Sequence, residues 1–438
     1  MAFTDFSAGG LSRRNILKGG ACLAGGTALA SMPFGSALFA HDVSEAWPTV
    51  AAEVDRYLKE KKVATMIATF GWKQDDHVHS VGGGTLSLAG SIKADVDSLY
   101  RIYSMTKPIT GIMAMQLVSE GKIALDQPLS DILPAFAEMQ VQKEYDGAIT
   151  EDNLEPARNP ITIRQVLTHT AGLGYGIIQQ GAIKDEYDRL GLVPGQVSRM
   201  PIPGIGRSTP AESLEVFADR LASVPLVYQP GTKWSYSVSL DLMGRVIEVV
   251  EGKPFDVVLQ ERLFGPAGMT STFFTVPQSE VGRLTTNYGV VGEQVIPIDP
   301  AASSIYLDEP AFPFGGAGLV SSPRDYDRFL RMLLGMGQID GVRVLDEAAV
   351  RVGTGNILPA TVDVSGSWIE GQGFGAGGRV NGRAFGWGGA AGTAAFVDLE
   401  RGLRAQLFTQ YMPSEAYPIQ GKFPELVAAD LAAAAKNG

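Results

Sequence analysis

The chain has 438 residues, enough to bury a large core, and with 45% hydrophobic and 19% charged residues it is ordinary for a soluble globular protein and too polar for several membrane spans. Net charge is −11; without residues 1–40, which hold Arg13, Arg14, Lys18 and Asp5, 33 basic and 46 acidic side chains remain, a net of −13. That surface repels phosphate backbones and anionic headgroups, so no nucleic acid is expected as a partner, and the one cysteine, Cys22, excludes a disulfide framework or a thiolate metal site.

Residues 1–40 read as an address rather than as part of the fold. Ser12-Arg13-Arg14-Asn15-Ile16-Leu17-Lys18 precedes a Gly/Ala-rich, mildly apolar run to Ala30 and then Pro33, the layout of a twin-arginine export signal. So many glycines would make a poor amphipathic first helix. Cleavage after Ala30, Ala37 or Ala40 fits equally well. The expectation is a periplasmic or secreted protein, delivered by the twin-arginine translocase, with no stable membrane span in its mature form.

From Ser44 to Lys62 apolar residues recur at threes and fours (Val50, Val54, Tyr57, Leu58), which predicts a helix. Val63–Trp72 and His77–Leu86 read as paired strands about a polar turn at Lys73–Asp76, and Leu99–Tyr103 as a third strand-like piece. The long middle, Met105 to about Leu334, shows helical periodicity broken by Pro and Gly. Strands return at Arg383–Trp387, Thr393–Asp398 and Leu403–Thr409, and an alanine-rich helix closes the chain from about Pro424 to Lys436. That order predicts one sheet built from both chain ends, terminal helices covering it, and a mostly helical subdomain inserted within about 105–334 of a single domain, 41–438. Glycine concentrates in Gly172–Gly206 and Gly371–Gly392, the candidate active-site walls.

Ser-x-x-Lys occurs twice, as Ser104-Met105-Thr106-Lys107 and Ser119-Glu120-Gly121-Lys122, and about two chance matches are expected at this length. Context separates them. Ser119 falls where a helix stops at Gly121, so its lysine reads as a helix-terminal charge. Ser104 opens a helix with the apolar stripe Ile109, Ile112, Met113, Met115, Gln116 and Leu117, and Pro108 is tolerated only near such a start. Three residues of separation then put Ser104 and Lys107 on one face, one turn apart. The helix N-terminus supplies a positive field for an oxyanion, and a partly desolvated lysine there gives up its proton readily enough to act as a base. A serine cap followed by an exposed lysine is the plain alternative.

Two further stretches weigh against that alternative. Pro230-Gly231-Thr232-Lys233-Trp234-Ser235-Tyr236-Ser237-Val238-Ser239 leads into a helix at Leu240–Val250 and places Tyr236 on the turn before it, where a tyrosine can carry protons. Phe385-Gly386-Trp387-Gly388-Gly389-Ala390-Ala391-Gly392-Thr393 is a strand end whose glycines admit a substrate's backbone-like groups; a β-bulge would read the same.

In this order the three elements resemble the serine β-lactamase and penicillin-binding protein superfamily, above all class C β-lactamases and family VIII carboxylesterases. Leu167-Thr168-His169-Thr170-Ala171-Gly172-Leu173 and Phe314–Pro323 resemble the same family, and the likeness runs from about Ala46 to Ala432. It implies a β-lactamase/transpeptidase-like α/β (α+β) fold, an antiparallel sheet flanked by helices. It also implies Ser104 as nucleophile, Lys107 as its base and Tyr236 as proton relay, with the backbone N–H groups of Ser104 and Ala390 as the oxyanion hole. Trp387, Gly388 and Gly389 fall where penicillin-recognising members have Lys-Thr-Gly, and Val238 replaces the asparagine that holds a β-lactam's amide. Both departures favour a neutral, small-molecule ester over a β-lactam, and the family VIII esterases share the Trp-Gly-Gly pattern. His169 is structural in the family.

The expected reaction is therefore ester hydrolysis through an acyl-enzyme, with no metal or organic cofactor. A β-lactamase, D-alanyl-D-alanine carboxypeptidase, acyltransferase or amidase of the same fold, or a catalytically silent binding protein, are the alternatives. His77 and His79 on one strand face suggest a metal pair, but no third ligand is spaced to complete it, and an exposed hairpin is expected. No Gly-x-Ser-x-Gly and no Walker pattern occurs.

Overall fold

A computed structural model of the protein describes residues 43–200 and 209–437, so the address read at 1–40 lies outside the described residues. After one helical turn, Val43–Ala46, helix α1 (Pro48–Lys59) buries Val50, Val54 and Tyr57, the positions its spacing marks. Strands β1 (Thr65–Trp72) and β2 (His79–Gly84) form the expected hairpin. Of the 99–103 stretch only β3 (Tyr100–Arg101) is extended, and it runs through a 3-10 turn, Tyr103–Met105, into α2 (Thr106–Ser119). Every residue of α2 from Thr106 to Leu117 is buried, so this helix is packed all round and needs no polar face.

Further along, past several short elements, come helix α3 (Ser239–Glu251) and a hairpin of β4 (Asn287–Val291) and β5 (Gln294–Asp299) that the helical reading of the middle did not anticipate. The two-residue β6 (Val320–Ser321) pairs with β3, not with the main sheet, and α4 (Pro323–Leu334) comes next. The C-terminal part supplies β7 (Gly373–Phe374), β8 (Arg379–Asn381), β9 (Ala384–Gly388), β10 (Ala394–Asp398) and β11 (Leu403–Thr409), then α5 (Ile419–Asn437).

The main sheet is antiparallel throughout, in the order β7-β8-β9-β10-β11-β1-β2. Both chain ends thus meet at β1 and β11, and the chain between β2 and β7 adds no strand to the sheet. All eight residues of β1 are buried, because α1 and α5 cover one face of the sheet and α4 the other. On the first face Trp47 stacks on Phe70 at 3.8 Å and Phe423 joins them. On the second, Arg404 of β11 lies across its register partner Gly71 and donates to Asp327 of α4 at 2.8 Å. A Cβ at position 71 would sit 2.1 Å from the guanidinium, so any larger residue there would have to displace Arg404.

The last helix starts at Ile419, five residues before the Pro424 start read from the sequence. Proline inside it forfeits only the bond to the Gln420 carbonyl, and Ile419 and Phe423, both fully buried, hold the first turn against the sheet. His79 lies 3.8 Å from Asp75 and its ring packs edge-on to His77. Among the described residues no group of His, Cys, Asp or Glu is placed to hold a metal ion, and no helix is long and apolar enough to cross a membrane.

Candidate active site

The turn that carries Ser104 is wound unusually. Tyr103, next to it, has φ of 41°, left-handed backbone that costs a side-chain-bearing residue on the order of 1–3 kcal/mol. Packing pins it there. Its ring lies edge-on to Tyr306 and its hydroxyl accepts from Asn287 Nδ2 at 3.1 Å. Ser104 is left nearly buried, with a relative exposure of 9%.

Two side chains converge on the Ser104 hydroxyl, and a third supports one of them. Lys107, one turn on and wholly buried, donates from Nζ to Ser104 Oγ at 3.1 Å. The Tyr236 hydroxyl donates to the same Oγ at 2.8 Å, and Trp387 Nε1 donates to the Tyr236 hydroxyl at 3.2 Å. Lys107 Nζ also lies 4.7 Å from the Tyr236 ring centroid, a further attraction in a dry site. Ser119, at the other Ser-x-x-Lys, bonds Asp346, and Lys122 pairs with Glu251 and Glu120 at the protein surface.

Gly388, Gly389 and Ala390 end β9 and begin a turn pressed against the same segment. A Cβ on Gly389 would meet the Ile102 carbonyl oxygen and Thr393 Oγ1, each at 2.3 Å, so only glycine lets the turn close on the backbone two residues before Ser104. Gln420, from α5, donates to the Gly389 and Thr393 carbonyls at 2.6 and 2.7 Å and fastens the turn from behind. Gly388 and Ala390 are partly exposed. Val238 lies elsewhere in character: its side chain is entirely buried, so it meets a substrate only as the missing donor of an asparagine.

Several neighbours of this cluster escaped the sequence reading. The Gly316 carbonyl is the second acceptor of Lys107 Nζ, at 2.7 Å, and the Gly316 N–H donates to Asp241 Oδ1 at 2.8 Å. Asp241 is fully buried in the first turn of α3, and its Oδ2 has no hydrogen-bond partner. Burial pushes its carboxyl from 3.8 up to about 6, against the pull of the Lys107 charge. The one available signal was an acid among the apolar residues of Val238–Met243. Tyr175 packs edge-on to Tyr236 at 5.1 Å, and burial, the Tyr236 hydroxyl and Asp241 all raise its own hydroxyl. Trp234 and Trp368 complete an aromatic wall around Tyr236 at 6.1 and 4.8 Å. His169 stands behind it: its Nδ1 lies 2.9 Å from Ser237 Oγ, and burial, with Lys107 nearby, keeps the ring neutral by lowering its pKa.

Comparison with known proteins gives these positions a context. A family model described as Beta-lactamase matches residues 51–428. Protein Rv1367c of Mycobacterium tuberculosis is 35% identical over 284 residues, 65% of this chain and 66% of that protein. Esterase EstB of Burkholderia gladioli is 28% identical over 310 residues, 67% of this chain and 72% of EstB. The chain thus spans slightly under two thirds of Rv1367c. Among solved structures, EstCE1, titled a hydrolase with promiscuous acyltransferase activity, shares the fold with a TM-score of 0.69 at 22% identity, covering 89% of this chain and 99% of that one.

Proposed function

This chain belongs to the β-lactamase family, and from that premise we propose that it is an esterase acting through an acyl-enzyme on Ser104. The observation that carries the reading is the convergence of Lys107 Nζ and the Tyr236 hydroxyl on one serine oxygen, at 3.1 and 2.8 Å. Lys107 acts as the base that takes the serine proton as Oγ attacks the ester carbonyl. The N–H groups of Ser104 and Ala390 hold the oxyanion, and the intermediate collapses to acyl-enzyme as the alcohol leaves with a proton relayed through Tyr236. Water then attacks the acyl carbon, gives its proton to the same pair, and frees the acid and Ser104. The helical 105–334 insertion and the sheet form one catalytic domain in this reading. Likeness to an esterase supports ester substrates, and two absences support esters over β-lactams: Trp387 puts one N–H and an apolar face where a lysine would meet a carboxylate, and Val238 offers no amide.

The test is intact mass spectrometry and steady-state kinetics with 4-nitrophenyl butyrate and a chromogenic cephalosporin. Short neutral esters are expected to exceed the lactam in kcat/KM by at least about a hundredfold, roughly 2.7 kcal/mol at the transition state. Ser104→Ala and Lys107→Ala each abolish turnover, and Tyr236→Phe leaves a slow residue. Equal rates on ester and lactam would replace this reading by the β-lactamase one, and no acylation by any ester would leave a binding protein.

The same proposal includes export by the twin-arginine route on the strength of Arg13 and Arg14. With both changed to lysine, precursor accumulates in the cytoplasm; unimpaired export of that variant refutes the route.

A further inference from the structure

Arg379 is a cation without an anion. It lies on β8, next to the strand that carries Trp387, and its guanidinium stands 5.1 Å from the Trp387 ring centroid. One Nη donates to the Trp368 carbonyl at 2.9 Å, while its Nε is buried with no partner. No carboxylate among the described residues pairs with it, whereas the three buried arginines among them are each paired: Arg101 with Asp299, Arg404 with Asp327, Arg331 with Asp340. Burial brings its pKa from 12.5 down to about 10, which leaves it charged at neutral pH.

Such a group is costly to bury, and proteins ordinarily pair it. The two residues it touches both contact Tyr236. Trp387 reaches the Tyr236 hydroxyl at 3.2 Å, and Trp368 packs on the Tyr236 ring at 4.8 Å. Arg379 therefore borders the two indoles that pack around Tyr236 and is itself partly open to solvent. A guanidinium fork matches a carboxylate in shape and charge.

We propose that Arg379 is a specificity-determining residue that receives an anionic group, a carboxylate on the part of the ester remote from the scissile bond. The proposal rests on the esterase reading and narrows its substrate class: neutral at the reacting carbonyl, where position 387 is an indole, and anionic at the far end.

The experiment compares esters that differ only in that charge. Mono-(4-nitrophenyl) adipate against 4-nitrophenyl methyl adipate places the carboxylate on the acyl side. The butyrate ester of 4-hydroxybenzoic acid against its methyl ester places it on the alcohol side. In at least one pair the wild-type protein is expected to favour the anionic member by about tenfold or more in kcat/KM, mainly through KM, and to lose that preference as salt rises. Arg379→Gln abolishes the anionic-to-neutral ratio, and Arg379→Lys, which keeps the charge but not the fork, retains part of it. A ratio near one in both pairs, or a ratio that Arg379→Gln leaves intact, overturns the inference and makes Arg379 a brace for Trp387. If neutral esters are hydrolysed while this happens, the esterase reading stands; if no ester in either pair is cleaved, that reading fails first.

Discussion

At the scale of single residues, the site is a chain of donors ending on one oxygen, and its least comfortable member is Asp241. The carboxylate holds the Gly316 N–H at 2.8 Å, and the Gly316 carbonyl in turn accepts from Lys107, so the acid positions the lysine through one peptide unit. The folded-state pKa, about 6, lies above the ordinary 3.8. A carboxyl raised in this way is held more tightly as the neutral acid in the folded protein than in the unfolded one. Its favourable contribution is complete below the unfolded value and is lost as pH rises through about 6. Asp241→Asn keeps an acceptor for Gly316 and cannot ionise. Between pH 4 and pH 7 the variant is expected to gain on the order of 3 kcal/mol relative to wild type, read from urea melts of both proteins at the two pH values. A stability difference that is the same at both would mean that Asp241 titrates normally.

At the scale of elements, the site depends on two segments forced together by glycine. Gly389 allows the turn after β9 to touch the Ile102 carbonyl, and Gly316 fits beneath Asp241, where a Cβ would lie 2.5 Å from Oδ2. The obstacle at Gly389 is backbone, which cannot swing aside as a side chain would. Gly389→Ala is therefore expected to push the Ala390 amide away from Ser104 and to lower kcat by tenfold to a hundredfold, with KM changed less. Gly282→Ala, where an added Cβ meets nothing within 4 Å, serves as the control. Wild-type kcat in the Gly389 variant would remove the turn from the proposed oxyanion hole. Much of this arrangement was legible beforehand. The glycine runs marked a close approach, and Pro108 marked the helix start. The partners of those glycines were not legible, because Ile102 and Asp241 are distant in sequence and carry no signal of their own.

At the scale of the whole molecule, a sheet assembled from both chain ends needs something to lock the seam between β1 and β11 to the layer beneath it. Arg404 and Asp327, at 0% and 3% side-chain exposure, supply that lock, and Arg404 also donates to the Lys73 and Asp75 carbonyls at 2.5 and 2.9 Å. Asp327→Ala leaves a buried guanidinium uncompensated and is expected to cost about 3–5 kcal/mol in denaturant melts. A loss within about 0.5 kcal/mol, the range of ordinary surface changes, would show that solvent reaches the arginine after all.

The sequence by itself determined what local chemistry can specify: the helix that starts close to Ser104, the strand pair near the beginning of the chain and the three strands near its end, and the residue types that gather around Ser104. These follow from periodicity, from proline and glycine, and from spacing along a helix turn, all of which act over a few residues. Only the tertiary structure decided which distant groups meet. It seats Lys107 on the Gly316 carbonyl, 209 positions away, and Arg379 on the Trp387 indole without a counter-ion. It also set how much water each keeps, and with it the charge state of Asp241. Desolvation and long-range pairing are properties of the packed chain, since a side chain's surroundings are fixed only when remote segments close over it.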